Sequence, residues 1–206
     1  MMLAVAGARD DDAALLRASA GGDRAAFARL YEEHRRRVHR VAYGILLDED
    51  EARDAVQEAF ARLHDVAPRW EPNARVATWL HRVVVNHCLG LRRRMVGAAR
   101  ALVARPERSA EATPERRASA GEAVGIVERS LASMTLRARA IATLHLEAEL
   151  EPREIATLVG LTPNATRVAL HRALEKLRED LRAAGIDAAP DDETAPNEEE
   201  DHADAS

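Results

Sequence analysis

The chain has 206 residues, enough for one ordinary domain or two small helical ones, and its 3% of aromatic residues beside abundant Ala, Leu, Val and Arg favours packed helices over sheets. A single cysteine, Cys88, excludes an internal disulfide and a multi-thiolate metal site and fits a reducing compartment. The formal charge of -5 misdescribes the body of the chain: nine of the 35 acids and none of the 30 Lys and Arg residues fall in 187–206, so the rest carries +4, a balance compatible with nucleic acid.

In chain order, apolar residues recur at three- and four-residue steps from Arg24, through Phe27, Leu30, Tyr31, Val38, Val41, Ala42, Ile45 and Leu46, with the charged run Glu32 to Arg37 between them. The spacing predicts an amphipathic helix. The acid-rich turn Asp48 to Glu51 opens a second, with Ala52, Val56, Ala59, Phe60 and Leu63 on one face and an end near Pro68. After Arg69 to Asn73 a third carries Val76, Trp79, Leu80, Val83, Val84, His87 and Leu91 inward, and Arg75, Arg82, Arg92, Arg93 and Arg94 outward. These three helices are expected to share one core.

Between about Val96 and Gly121 the pattern decays into Arg, Ala, Glu and Ser with Pro106 and Pro114, which reads as a linker. Helical spacing resumes through Val124, Val127, Leu131 and Met134, and again through Leu136, Ile141, Leu144 and Leu146. Pro152 to Val159 then forms a short helix stopped by Gly160, with Leu161 buried in the turn. Thr162 is a good N-cap and Pro163 a good first residue for a helix reaching about Arg182, with Val168, Leu170, Leu174, Leu177 and Leu181 apolar and Arg167, His171, Arg172, Lys176 and Arg178 basic. A short helix, a glycine turn and a longer basic helix make a helix-turn-helix.

In such a motif the second helix enters the major groove, its N-terminal side chains meet base edges, and flanking arginines hold phosphates. Asn164, Thr166 and Arg167 occupy the base-facing positions; the competing reading is a helical hairpin with a solvated basic face. The basic helix Arg75 to Arg94 is likewise open between a solvated face and a nucleic-acid surface, Trp70 and Trp79 favouring the second because indoles stack on unpaired bases. For catalysis the candidates are His34, His39, His81, His87 and Cys88, but none stands in the i, i+4 pairing with an acid that zinc hydrolysis uses, and neither a glycine-rich phosphate loop nor a nucleophile elbow occurs. No catalytic residue, metal or cofactor is expected. No stretch approaches the roughly twenty apolar residues that span a bilayer, and the N-terminus lacks a basic segment followed by an apolar one, so a cytoplasmic location is expected.

The order helical domain, polar linker, helix-turn-helix, together with particular strings, resembles the extracytoplasmic-function sigma factors of bacterial RNA polymerase, a branch of the sigma-70 family. "GDRAAFARLYEEHRRRVHRVAYGIL" (Gly22 to Leu46) and "DEDEARDAVQEAFARLH" (Asp48 to His64) resemble the family's opening helices, "VQEAF" being the most specific part. "ATWLHRVVVNHCLGLRRR" resembles its promoter-melting helix, and "EPREIATLVGLTPNATRVALHRALEKLRE" the domain that reads the upstream element. The resemblance spans about Leu15 to Leu181.

It implies an all-α chain of two small helical domains: 13–96 as sigma region 2 and 121–184 as sigma region 4, joined by a flexible linker at 97–120, with a disordered N-terminus at 1–12 and an acidic disordered tail at 185–206. By the same resemblance Asp54, Gln57 and Glu58 contact the largest polymerase subunit, and an acidic face opposite the apolar stripe suits a basic coiled coil. Asn73, Trp79, Arg82, Asn86, Arg92, Arg93 and Arg94 fall where the family captures the unpaired minus-ten strand; Thr162, Asn164, Thr166, Arg167, His171 and Arg172 fall at the minus-thirty-five reader. The family usually has an aromatic where Val76 stands, an acid at Gly90 and a base at Ala169. The function so implied is to direct core RNA polymerase, through its largest and second-largest subunits, to specific promoters in a stress or signal response, with promoter DNA and an anti-sigma factor as further partners and no small-molecule substrate. Two other readings compete: a stand-alone helix-turn-helix regulator, and a sigma-like module that titrates polymerase or an anti-sigma factor.

Overall fold

The computed structural model describes residues 3–71, 75–101 and 121–186, with side chains described for 11–71, 75–90 and 121–186. All regular structure among them is helical: α1 (Leu3–Ala20), α2 (Arg24–Leu46), α3 (Glu49–Val66) with a 3-10 turn at Ala67–Arg69, α4 (Val76–Ala101), α5 (Glu122–Ser133), α6 (Leu136–Ala148), α7 (Pro152–Val159) and α8 (Pro163–Ala183). The boundaries follow local chemistry. Asp23 starts α2 by accepting from the Ala25 and Ala26 amides at 2.9 and 3.1 Å, and Asp48 starts α3 by accepting from Asp50 and Glu51 at 2.9 Å each. Between α2 and α3 the chain reverses in one step, because Leu47 takes a left-handed conformation (φ 56°) and returns its amide to the Tyr43 carbonyl.

Two expected boundaries move. The first helix begins at Leu3, inside the stretch expected to be a disordered N-terminus, and α4 runs to Ala101, past the expected start of the linker at 97. The proposed linker core at 102–120 and most of the acidic tail lie outside the described residues.

Helices α1 to α4 form an N-terminal lobe in which α2 touches α1, α3 and α4. Its core holds Leu16, Leu30, Val41, Ile45, Phe60, Leu63, Leu80 and Val84. Helices α5 to α8 form a C-terminal lobe, yet the interior does not divide with them: Ile141, Leu144, Ile155 and Leu158 belong to the same continuous apolar cluster, while Leu131, Ala142, Ala173 and Leu177 form a smaller one. The cause is α6. It buries Arg139, Ala140, Ile141, Ala142, Thr143, Leu144 and Ala148, which surround its axis instead of marking one face, so it is covered on several sides, by α2, α7 and α8.

The lobes meet tightly where Gly44 of α2 lies against Thr143 of α6; a Cβ on Gly44 would sit 2.6 Å from the threonine Cγ2 and 2.8 Å from its Oγ1. Around that contact Arg37 pairs with Glu149 at 2.9 Å, Arg40 with Glu147, and the Tyr43 hydroxyl donates to Glu128 at 2.8 Å. Such exposed ion pairs each contribute at most about 1 kcal/mol, so the apolar contact between α2 and α6 dominates.

Several inward assignments are corrected. Val124, Leu146 and Val168 continue apolar spacing but are exposed. On α4 the buried imidazole is His81, 2% exposed, whereas His87 is only half-buried. Neither ring nitrogen of His81 has a hydrogen-bond partner among the described residues, and burial, then the charges of Arg37 and His34, push its pKa down to about 4. Burial also pushes the Cys88 thiol up to about 12, which leaves it unreactive.

Two measurements check this packing. Gly44→Ala should gain up to about 1 kcal/mol of helix propensity but lose about 1 to 3 kcal/mol to overpacking against Thr143, a net loss in urea unfolding. In a Thr143→Ala background the same substitution should become neutral or stabilising. For His81 the unfolded imidazole titrates near 6.5 and the folded one near 4, so the native state refuses a proton that the unfolded chain accepts. Stability is therefore full above about pH 6.5 and falls as pH drops toward 4, by about 2 kcal/mol between pH 7 and 5. His81→Leu should remove most of that difference; an unchanged pH dependence would place the acid sensitivity elsewhere.

Candidate nucleic-acid interface

The C-terminal lobe builds its turn from backbone constraints. Gly160 adopts the left-handed conformation (φ 67°, ψ 46°) and its amide returns to the Ala156 carbonyl, which closes α7 and brings Leu161 back onto the core. Thr162 then caps α8: its Oγ1 accepts from the Ala165 amide at 3.2 Å, and Pro163 opens the first turn. Helix α8 buries Thr166, Leu170, Ala173 and Leu177 and leaves Asn164, Arg167, Val168, His171 and Arg172 exposed on the opposite side. This is the short helix, sharp turn and presented second helix expected from the spacing.

Of the expected upstream-element residues, Asn164, Arg167, His171 and Arg172 share that outer surface, and Thr162 is exposed at its start. An Arg167 guanidinium nitrogen donates to Asn164 Oδ1 at 2.9 Å, which orients the amide and guanidinium together. Thr166 is a correction. It is fully buried, and its hydroxyl donates to the Thr162 carbonyl at 3.0 Å, so it secures the first turn and cannot reach a base. Ala169 is half-buried beside the core, away from the exposed stripe. Val168, placed on the apolar side by its residue type, instead stands 44% exposed between Arg167 and His171.

A second polar surface runs along α4. Arg75 just before the helix, then Trp79, Arg82 and Asn86 recur at four, seven and eleven residues and so occupy one stripe. Arg75, Arg82 and Asn86 are exposed; Trp79 is half-buried, its ring edge-on to Trp70 with centroids 5.9 Å apart. Trp79 is therefore partly structural, a wall at the margin of the core. Val76 is 2% exposed and packs into that core. Gly90 faces open space: beyond its own stretch of helix, no atom of the described residues lies within 4 Å of where a Cβ would stand. Asn73 lies outside the described residues, and Arg92, Arg93 and Arg94 lie in the helical backbone of α4 with side chains outside them.

On α3 the expected polymerase-facing residues Asp54, Gln57 and Glu58 project from one side, opposite buried Ala52, Ala55, Val56 and Ala59. Asp54 and Gln57 are exposed. Glu58 is engaged at 2.6 Å by Arg62 one turn later, an exposed i, i+4 pair that exchanges readily for an external cation. Between α2 and α3, Phe27 and Tyr31 each pack edge to face on Phe60, with Tyr31 exposed to solvent.

One grouping among the described residues brings metal-ligand atoms together, Asp12, Glu33 and His34 within 4.8 Å. His34 Nε2 lies 3.0 and 3.1 Å from the two Asp12 carboxylate oxygens, so the pair ties α1 to α2.

The chain matches Sigma-70 region 2 over residues 30–107 and Sigma-70, region 4 over residues 125–177, the first containing α3 and α4 and the second most of α5 to α8. It is 36% identical over 129 residues to the ECF RNA polymerase sigma factor SigM of Mycobacterium tuberculosis, covering 63% of each chain, and 33% identical over 137 residues to SigD of the same species, covering 65% of each. The matched stretch thus spans just under two thirds of those relatives. SigW of Bacillus subtilis is 24% identical over 171 residues, 78% of this chain and 91% of its own. Among solved structures, CnrH in complex with the cytosolic domain of CnrY shares the fold, with a TM-score of 0.61 at 22% identity over 84% of this chain and 98% of that one. Two sigma regions in this order, each holding the surfaces just described, show that the chain belongs to the sigma-70 family, in its extracytoplasmic-function branch.

Proposed function

We propose that this chain directs core RNA polymerase to specific promoters and so starts their transcription. The observation that carries the reading is the outer face of α8, where Asn164, Arg167, His171 and Arg172 stand together behind a capped N-terminus with the opposite face buried. Amide, guanidinium and imidazole groups at that spacing suit base edges and phosphates of the major groove. In this reading α8 anchors the minus-thirty-five element. The α4 stripe of Arg75, Trp79, Arg82 and Asn86, continued by Asn73 and Arg92 to Arg94, holds the opened minus-ten strand by phosphate contact and stacking. Asp54, Gln57 and Glu58 dock on a basic surface of the polymerase.

Phosphodiester synthesis belongs to the polymerase; this chain supplies positioning, and none of its residues is assigned a catalytic role. No helix of the described residues is long and apolar enough to cross a membrane, and the site of action is the cytoplasm, where polymerase and DNA are. CnrH is held by the cytosolic domain of CnrY, and a comparable anti-sigma protein is the regulator proposed for this chain.

Run-off transcription with purified protein, matching core polymerase and fragmented genomic DNA tests the reading. New start sites that share upstream elements are expected. Core binding without new starts would instead make the chain a titrating module, and specific duplex binding without core would make it a stand-alone regulator. Glu58→Arg, which breaks the Arg62 pair and reverses the charge, should abolish co-elution with core while circular dichroism stays unchanged; retained binding would move the docking face elsewhere. Arg167→Ala should weaken initiation at promoters that depend on the upstream element by about 1 to 3 kcal/mol, read as promoter affinity.

A further inference from the structure

We infer that Val168 reads the 5-methyl group of a thymine in the upstream promoter element; this rests on α8 being the groove-facing helix. Four large apolar side chains are exposed among the described residues, Tyr31, Val124, Leu146 and Val168, and only Val168 lies on α8. It sits one turn after Asn164 and one turn before His171 and Arg172, in the first two turns of the helix, where side chains of a helix-turn-helix reach base edges.

The fold makes no use of it there. The buried series Thr166, Leu170, Ala173 and Leu177 closes the apolar side of α8 without it. A β-branched residue in a helix loses side-chain freedom, and its two methyl groups stand in water. Apart from the small Ala165, its exposed neighbours are polar: the linked pair Asn164 and Arg167 on one side, His171 and Arg172 on the other. Those groups suit the donors and acceptors of base edges and the phosphates. Valine can match neither. In the major groove of B-DNA the one apolar feature is the thymine methyl, which cytosine lacks and which a small aliphatic side chain contacts directly. Val168 thereby makes one position of the element a thymine by shape and dehydration, between positions chosen by hydrogen bonding.

The test uses the complete chain with core polymerase and a promoter found by run-off transcription. Each thymine of the upstream element is replaced singly by deoxyuridine, which removes the methyl and leaves the hydrogen-bonding edge intact. One replacement should lower the affinity of the assembled enzyme about fourfold, the effect of one methyl group returned to water. Val168→Ala should bind the natural promoter more weakly by a similar factor and lose that uracil penalty, with penalties elsewhere unchanged. Alanine raises helix propensity, so the variant is expected to fold. An element without thymine, uniform insensitivity to uracil, or the same uracil profile in wild type and Val168→Ala would each overturn the inference. Asn164→Ala and Arg167→Ala separate the two levels. If they weaken upstream-element dependence and Val168→Ala does not, only the methyl contact is wrong; if none does, α8 is not the reader.

Discussion

The tight contact of Gly44 on α2 with Thr143 on α6 is the constraint from which the arrangement of the rest follows. With no side chain at residue 44 the backbones come near enough for Ile141 and Leu144 of α6 to join the cluster that contains Val41 and Ile45. A cavity-free interior depends on such fits, because a methyl group more or less at a packed contact is not absorbed by easy relaxation. One consequence is that region 2 and region 4 stand on a common apolar core here. Another is that α2, the helix that organises the N-terminal lobe, also fixes where α6 lies, and α6 in turn backs α7 and α8.

That chain of supports leaves the polar surfaces outward. Helix α8 spends one side on the C-terminal core and offers the other to solvent with its cap intact. Helix α4 buries Val76, Leu80, Val84 and Cys88 and leaves Arg82 and Asn86, with Arg75 just before it, exposed. Helix α3 buries an alanine-rich face and presents acids. In the proposed reading, the basic surfaces for nucleic acid and the acidic one for a protein are carried on different helices, so the two partners do not compete for one face. The ion pairs across the lobes use a third set, Arg37 and Arg40 with Glu147 and Glu149, none of which belongs to the proposed contact residues.

Much of this was legible in the sequence because it depends on nearest neighbours. Asp23, Asp48 and Thr162 cap helices through contacts two or three residues away, and Gly160 is the residue that a left-handed helix end favours, so helix starts and the turn could be placed from spacing alone. Long-range facts were not legible in that way. The periodicity of α6 is weak because the helix is covered on several sides, and a sequence reading in local windows assigned it to a self-contained domain. Thr166 has the polarity of a contact residue, yet the i to i+4 geometry turns it inward, where its hydroxyl bonds the carbonyl of Thr162. His81 and His87 differ in depth by the rotation of six residues along α4, and polarity alone favours neither. A stricter count of helical phase separates Thr166 from Val168: Leu170, Ala173 and Leu177 lie four, seven and eleven residues after Thr166, whereas Val168 stands two residues off that series.

The same phase argument explains why substitutions at family-typical positions need not act alike. Val76 lies buried in the core, off the outward stripe, so an aliphatic side chain there acts on packing and leaves Arg75, Arg82 and Asn86 unaltered. Gly90 stands over open space on the same helix, where an acid would add charge to a surface otherwise rich in arginine; its absence leaves that part of α4 more favourable to phosphate. Ala169 is half-buried against the core, so in the proposed reading the cations of the outer face of α8 are Arg167 and Arg172. If α8 is the reader proposed above, fewer phosphate contacts make its binding owe less to salt-dependent, sequence-blind attraction and correspondingly more to the fit of Asn164, Arg167, Val168 and His171 against particular bases.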